Sequence, residues 1–206
     1  MANHATDEQL IQWYHKGNTE AFEQLYSRYK NAMYHYFFRQ VQSAGIADEL
    51  HQDVWLNIIK SSSGFAQQSS FKTWLYKIAH NRLVDHYRRT SKQPLYLVQE
   101  AGLEKNSGQE LEKESDAGSA HNSQDNRCND EPDAILQEQQ LSNALLDGIA
   151  SLPREQKEVF LLHEKSGLTL QEIATITDSS FESTKSRLRY AVKKLRQSLA
   201  QYLAAE

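Results

Sequence analysis

Apolar residues recur at helical spacing in both halves of the chain. Leu50, Val54 and Ile58 are spaced i, i+4, i+8, which gives one apolar side to a helix predicted to begin at Asp48. Residues 188–199 carry a second stripe, made by Leu188, Val192, Leu195 and Leu199. Glycine is scarce, proline occurs only at positions 94, 132 and 153, and Glu, Gln, Leu, Ala and Lys abound. The pattern predicts an all-α fold.

Polar residues with the chemistry of helix caps mark where the first helices begin. Thr6 and Gln9 have the spacing of a capping box, and Asn18 can cap a second helix. Residues 61–70 interrupt the periodicity and are typical of a loop, after which a long helix resumes at Phe71.

The C-terminal segment contains a short helix, a tight polar turn and a long basic helix. Thr169 and Glu172 have capping-box spacing at the start of the short helix, and Ser179 and Glu182 repeat that spacing at the start of the long one. Residues 177–180 form the turn between them. This order predicts a helix-turn-helix, an arrangement typical of DNA binding.

A polar, acidic stretch separates the two helical regions. Residues 93–133 are mostly polar or acidic and show no apolar periodicity, which is the composition of a linker. We therefore predict two small helical domains, residues 1–92 and 134–206, joined by a flexible acidic linker at residues 93–133.

Charge is segregated along a chain whose net charge is only -4. Residues 71–92 hold six basic side chains and one acid, and residues 183–206 repeat that balance. Between them, residues 93–140 hold eleven acids and three basic side chains. Two basic blocks are typical either of contacts with a polyanion or of solvated helix faces.

Composition argues against several classes of protein. The N-terminal residues lack a basic segment followed by an apolar run, and no window approaches the 18 apolar residues of a membrane span. Cys128 is the only cysteine, so we expect neither an intramolecular disulfide nor a zinc site. The eight histidines are dispersed, and no HExxH, phosphate loop or nucleophile elbow occurs. We expect a cytoplasmic protein that is no enzyme and holds no metal or cofactor.

Five segments in order resemble the extracytoplasmic-function sigma factors, the small two-domain members of the bacterial sigma-70 family. They are "GNTEAFEQLYSRY", "DELHQDVWLNI", "SSFKTWLYKIAHNRLVDHYRR", "SLPREQKEVFLLHEKSGLTLQEIA" and "SSFESTKSRLRYAVKKLR". The resemblance covers most of the chain outside the linker. It implies a factor that directs core RNA polymerase to promoters and assists their melting. Core polymerase, promoter DNA and an anti-sigma factor are the implied partners.

The resemblance assigns the helix of residues 48–60 to docking on the clamp helices of the polymerase beta-prime subunit. The assigned residues are Asp48, Glu49, Gln52, Asp53 and Asn57. Their acidic and polar character fits a docking surface, although a solvated helix face would have the same pattern.

The resemblance assigns the loop of residues 64–70 and the helix after it to the promoter minus 10 element, captured as single-stranded DNA. The assigned residues are Phe65, Lys72, Lys77, Asn81, Arg82, Arg88 and Arg89. Unstacked bases need flat or amide-bearing surfaces and phosphates need cations, and Asn81 matches the position that holds a flipped base. We expect the aromatic residues Phe71, Trp74 and Tyr76 to lie in the core instead.

The resemblance assigns the final helix to the duplex minus 35 element, and its domain also to contact with the polymerase beta flap. The assigned residues are Ser180, Phe181, Glu182, Ser183, Thr184, Lys185, Arg187 and Arg189. Hydroxyls and cations of this kind bond phosphates or base edges in a major groove. Glu182 departs from the family, in which many members have glycine, and the linker is long for it.

A stand-alone helix-turn-helix regulator is the alternative function. It accounts for the C-terminal domain but leaves the aromatic-rich basic segment at residues 71–89 without a purpose. A regulator of that class would shift duplex DNA by itself, whereas a sigma factor needs core polymerase.

Overall fold

A computed structural model describes residues 5–61, 65, 69–92 and 132–203 of the chain. Within these ranges the chain forms eight helices and no strand, which confirms the all-α prediction. The helices are α1 (Asp7–His15), α2 (Thr19–Val41), α3 (Ala44–Ser61), α4 (Phe71–Lys92), α5 (Pro132–Ala150), α6 (Arg154–Glu164), α7 (Leu170–Ile176) and α8 (Phe181–Leu203). The predicted linker lies outside the described residues, apart from its last two positions, where α5 begins.

The first two helices begin where the cap residues predict. The Thr6 hydroxyl accepts a hydrogen bond from the backbone N–H of Gln9, whose side-chain oxygen accepts one from the N–H of Thr6 in return. The Asn18 side chain accepts a hydrogen bond from the N–H of Ala21. Each bond satisfies a backbone donor that has no partner inside its helix.

The predicted start of α3 at Asp48 is wrong, because the helix begins one turn earlier, at Ala44. The N–H of Ala47 donates to the carbonyl of Ser43, and the methyl group of Ala47 is fully buried. Burial of this alanine therefore extends the helix beyond the acidic residue that resembled a cap.

The start of α8 also differs from the prediction. Ser180, not Ser179, caps the helix, because its hydroxyl accepts from the N–H of Ser183 at 3.2 Å. The turn closes at Asp178, whose φ of 49° lies in the left-handed region. The N–H of Ser179 then reaches back to the carbonyl of Ala174 at 3.0 Å, as in a Schellman motif. An aspartate thus takes the left-handed position that glycine commonly fills.

One buried core spans both halves of the protein. In the first half it is built from side chains of α1 to α4, including the fully buried Leu10, Leu25, Phe37, Ile58, Phe71, Leu75 and Leu83. It continues into α6 and the segment around α7 through Val159, Leu162, Leu168, Ile173 and Ile176. A smaller cluster, formed by Ile149, Leu152, Leu161, Ala191 and Leu195, joins α5, α6 and α8. The two helical halves therefore pack against each other in this structure.

No helix in the described ranges is apolar over a length that could cross a bilayer. Nor do three histidine, cysteine, aspartate or glutamate side chains group as metal ligands anywhere in those ranges.

Candidate nucleic-acid interface

The first turns of α8 present a mixed polar and aromatic surface. Among the residues predicted for duplex DNA, the exposed ones are Ser180, Phe181, Glu182, Lys185 and Arg189. Ser183 and Arg187 are half-buried. The Arg189 guanidinium lies 5.2 Å from the ring centroid of Tyr190, itself an exposed aromatic residue that the sequence reasoning missed. An exposed helix start of this kind can enter a groove of DNA.

Thr184 does not lie on this surface, although the sequence reasoning placed it there. Its side chain is fully buried, and its hydroxyl donates to the carbonyl of Ser180 at 3.1 Å. The same hydroxyl lies 2.8 Å from that of Ser179. A buried hydroxyl with both partners inside the protein holds the turn together and is not available to DNA.

The side chain of Arg187 is bound to another helix of its own domain. Its guanidinium forms a 2.6 Å ion pair with Glu155 of α6, and 26% of its side chain is exposed. Glu155 is 69% exposed, so water competes for this pair and its contribution to stability is small. A phosphate could displace Glu155 at little cost.

A shallow apolar groove runs along α8 beside the start of α7. Its volume is about 660 Å³, and it is lined by Leu170, Lys185, Leu188, Arg189, Val192, Lys193, Arg196, Gln197 and Ala200. Leu188 and Val192, which the sequence reasoning placed in a core stripe, are only half-buried and line this groove. Among the helix positions whose burial is described, Thr184, Ala191 and Leu195 are buried, and of these only Leu195 belongs to the predicted stripe. The groove therefore offers an apolar floor with a rim of cations.

On α4, Lys77 points at the turn between the last two helices. Its ammonium donates to the backbone carbonyls of Thr175 and Ile176 at 3.1 and 2.9 Å, and to a carboxylate oxygen of Asp178 at 2.6 Å. The hydrogen bond and the charge of Lys77 hold the pKa of the Asp178 carboxyl below its usual value. A residue predicted for minus 10 DNA is thus bound to the helix-turn-helix.

Lys72 lies in the same region between the halves. It is half-buried, and its charge helps to hold the pKa of Glu172 below the usual value. Burial alone would raise that pKa, but hydrogen bonds from Thr169 and from the hydroxyl of Thr73 outweigh it. The Thr73 bond, at 2.9 Å, joins α4 to α7.

The other residues predicted for the minus 10 element stay on the outside. Asn81, Arg88 and Arg89 are exposed and Arg82 is half-buried. Arg88 forms a 3.0 Å ion pair with Asp85, one turn away on the same helix. Asn81, Arg88 and Arg89 therefore lie at the surface of α4, whereas Lys77 faces the second domain.

The aromatic residues near the start of α4 form one cluster. Phe71 and Tyr76 are buried, as expected from the sequence. Trp74 is half-buried, and its ring lies 5.4 Å from that of Phe65, which also contacts Phe71. Phe65 is half-buried in this cluster, so it packs partly against the protein's own aromatic rings.

A buried polar cluster joins α2, α4 and α6. The Glu158 carboxylate accepts a hydrogen bond from the Tyr36 hydroxyl at 2.9 Å, and it lies 2.6 Å from Nδ1 of His80. Burial, followed by the charge of Glu158, raises the pKa of Tyr36 well above its usual value. Above this cluster, the guanidinium of Arg154 lies 3.9 Å from the ring centroid of Tyr87. Sequence reasoning missed these contacts because their partners are far apart in the chain.

The outward face of α3 carries the residues predicted for polymerase docking. Asp48, Glu49 and Gln52 are exposed, and Asp53 and Asn57 are half-buried. Leu56 and Ile59 lie among them with 50% and 43% of their surface exposed. These two apolar residues were missed, although their position outside the predicted stripe was a signal. An acidic face with an apolar centre is typical of a protein interface.

Comparison with known families and proteins finds two regions of the chain that match family models. A family model of Sigma-70 region 2 matches residues 25–93, and one of Sigma-70 region 4 matches residues 142–195. The chain is 28% identical over 191 residues to the ECF RNA polymerase sigma-E factor of Haemophilus influenzae, covering 91% of this chain and 92% of that one. Its identity to the sigma-E factor of Escherichia coli is also 28%, over 192 residues and 91% of each chain.

Two solved structures share the fold. The sigma factor RpoE from Bartonella quintana, solved with the anti-sigma factor NepR, aligns with a TM-score of 0.62 at 18% identity, over 88% of this chain and 98% of that one. CnrH, solved with the cytosolic domain of CnrY, aligns with the same TM-score and identity, over 96% of this chain and 99% of that one. The two family models lie in the order that the sequence motifs predict and together match more than half of the chain. The chain belongs to the sigma-70 family and is an extracytoplasmic-function sigma factor of RNA polymerase.

Proposed function

We propose that this chain is a dissociable RNA polymerase subunit that selects promoters and assists their melting, with no catalytic residue of its own. The observation that carries the proposal is the presence of both sigma regions in one chain, in order, on two helical units. Because RNA polymerase acts in the bacterial cytoplasm, we place the protein there.

The outward face of α3 is proposed to bind the clamp helices of the beta-prime subunit. Its exposed acids, Asp48 and Glu49, supply charge, and the exposed Leu56 and Ile59 supply apolar surface that a partner can bury. Buried apolar area provides the affinity of such an interface, and the charged rim provides its specificity.

The α4 helix is proposed to hold the melted minus 10 strand. The exposed Asn81 is suited to hydrogen-bond a base edge, and the exposed Arg88 and Arg89 are suited to phosphates. Lys72 and Lys77 belong to the same assignment, but both face the second domain in this structure.

The N-terminal turns of α8 are proposed to read the duplex minus 35 element. Lys185 and Arg189 are exposed there, and Arg187 becomes available once Glu155 releases it. The apolar groove along α8 is proposed as the surface for the beta flap, because it is unfilled by the described residues. An anti-sigma factor is a further proposed partner, since the Bartonella quintana sigma factor of similar fold was solved in complex with one.

The test is reconstitution with core polymerase. We expect the chain to co-purify with core and to give discrete run-off transcripts from a library of genomic fragments. A folded Gln52→Ala, Asp53→Lys variant should bind core more weakly, while Lys16→Glu, a charge reversal after α1, serves as the matched control. Core affinity unchanged by the double variant would remove the α3 assignment.

The same experiment distinguishes a sigma factor from the alternative, a stand-alone helix-turn-helix regulator. A protein that shifts duplex DNA tightly without polymerase, and gives no transcripts with it, would be a stand-alone helix-turn-helix regulator. Promoter-specific transcripts that require the chain exclude that outcome.

A further inference from the structure

We propose that a small cavity between α2 and the end of α6 binds a phosphate group. The cavity has a volume of about 130 Å³. At about 30 Å³ for each water molecule it holds roughly four waters, which is close to the space that the four oxygens of a phosphate occupy. Its polar lining residues are His35, Tyr36, Arg39, Tyr76, Lys165 and Ser166.

Cations from two elements meet at this cavity. His35 and Arg39 lie one turn apart on α2, and Lys165 directly follows α6. Burial, and then the positive charge of Arg39, lower the pKa of His35. The two side chains are therefore close enough for their charges to repel each other when His35 is protonated. A negative ligand between them would offset that repulsion.

The cations of the cavity have no acidic partner in the described part of the chain. Neither Arg39 nor Lys165 forms an ion pair there, and no carboxylate lines the cavity. Glu158 lies behind Tyr36, but its carboxylate is already bonded to the Tyr36 hydroxyl and to His80. A cavity lined by unpaired cations and by no carboxylate concentrates anions.

Buried hydroxyl groups form the inner wall of the cavity. Tyr36, Tyr76 and Ser166 are all buried, and the Tyr36 hydroxyl already donates to Glu158. Burial raises the pKa of Tyr76, although a hydrogen bond from Ser166 opposes that shift, so Tyr76 keeps its proton at neutral pH. Because the Tyr76 oxygen accepts from Ser166, its own O–H can donate to a ligand.

These donors suit a phosphate group better than a carboxylate. They come from three elements: a guanidinium on α2, a hydroxyl on α4 and an ammonium after α6. A phosphate has oxygens in four directions and can accept from all three, whereas the two oxygens of a carboxylate lie in one plane. The guanidinium of an arginine also binds two phosphate oxygens through parallel hydrogen bonds.

The experiment follows the imidazole Cε1–H resonance of His35 by NMR in the full chain while sodium phosphate is added at fixed pH and ionic strength. The spectrum of His35→Gln identifies this resonance. We expect a saturable shift with a Kd on the order of 1 mM, because Lys165 is exposed and Arg39 is half-buried, so that water competes with the ligand. Sodium chloride over the same range should give no saturable shift.

Variants of the lining residues test whether the binding occurs in this cavity. Arg39→Gln and Lys165→Gln should each raise the Kd about three- to tenfold, because each removes a charged donor. Ser166→Ala should raise it about two- to threefold. Lys30→Gln is the matched control, because Lys30 is exposed on the same helix, nine residues before Arg39. At about 3.6 residues per turn it lies on the opposite side of α2, so the Kd should not change.

A titration with adenosine 5′-monophosphate distinguishes two sources of the phosphate group. The cavity has room for the phosphate alone, so the rest of a larger molecule would lie outside it. A lower Kd for the nucleotide than for inorganic phosphate identifies a phosphate monoester as the ligand, and a higher Kd identifies inorganic phosphate.

Two outcomes overturn the proposal. One is a His35 resonance that shows no saturable shift with either phosphate compound. The other is a Kd that is the same in Arg39→Gln, Lys165→Gln and Lys30→Gln, since binding would then occur elsewhere. The dispersion of the remaining resonances shows that each variant is folded, and Arg39 and Lys165 can be replaced without opening the core because neither is buried.

Discussion

Replacement of Glu158 by alanine tests whether the buried polar cluster holds the two halves together. The Glu158 side chain is 5% exposed, and its carboxylate bonds the Tyr36 hydroxyl at 2.9 Å and His80 at 2.6 Å. Without the carboxylate, both groups lose a buried partner in the closed state, in which the two halves are packed together. In an open state, with the halves apart, both groups are hydrated. The substitution should therefore lower the free energy of opening and leave the folding of each half unchanged.

The expected magnitude follows from these two bonds. A hydrogen bond to a charged group contributes about 1.5 to 3 kcal/mol, so the loss of two should destabilise the packing of the halves by about 3 kcal/mol at the lower end of that range. Since about 1.4 kcal/mol is a tenfold change in an equilibrium constant, closure should weaken about 100-fold. Tyr36→Phe removes one donor and leaves the carboxylate with His80, so we expect roughly a tenfold effect from that variant.

The assay is Förster transfer between dyes on the two halves. Cysteines at the exposed Lys16 and Ser142, in a Cys128→Ser background, carry the dyes. Urea lowers transfer as the halves separate, and linear extrapolation of that transition gives the free energy of opening. Glu164→Ala is the matched control, because Glu164 lies on the same helix, is 48% exposed and forms an ion pair with its neighbour His163. Equal opening free energies for the Glu158 and Glu164 variants would refute the reasoning.

Three further predictions concern DNA, pH and packing. Lys185→Ala should weaken binding to closed duplex promoter by about 1 to 3 kcal/mol if a base contact is lost. Asn81→Ala should instead slow promoter melting, and a pre-melted bubble should largely rescue it. Equal defects of the two variants on closed duplex would contradict the assignment of α8 to duplex and α4 to single-stranded DNA. Because the pKa of Asp178 is lowered, its ion pair with Lys77 stabilises the packing of the two halves at pH values above the usual carboxyl pKa. That stabilisation is lost as the pH falls through the lowered pKa. In Lys77→Met, a carboxyl NMR titration should therefore find that pKa back in its usual range, and an unchanged pKa would contradict the ion pair. Gly148→Val should destabilise the second half by about 1 to 3 kcal/mol in chemical denaturation. The reason is that a Cβ at Gly148 would lie 2.9 Å from the Ser198 hydroxyl oxygen of α8. A variant as stable as the wild type would contradict such close packing.

The sequence alone predicted the helices, their order and the helix-turn-helix. Those features depend on local rules: the Thr6 capping box and the Asn18 cap form as their spacing predicts, because each involves groups within one helical turn. The family followed from five local motifs in order, and the matching family models confirm it.

Predictions from local rules were wrong where packing against residues far away in the sequence determined the structure. Ala44 replaces Asp48 as the start of α3 because Ala47 packs in the core, and Ser180 replaces Ser179 as the cap of α8 because Asp178 takes the left-handed turn. The hydroxyl of Thr184 predicted a contact with DNA, but the packing of α8 against its own domain buries that side chain.

Only the tertiary structure could bring Lys77 to the end of α7, or Tyr36 and His80 to Glu158. The partners of these contacts lie 78 to 122 residues apart in sequence, and no periodicity relates them. Helical periodicity determines which side of a helix is apolar, whereas the choice of the element that covers the other side is made by the packing of whole helices. The sequence therefore predicted which residues bind DNA, and the tertiary structure decided which of them, such as Lys77, already contact another part of the protein.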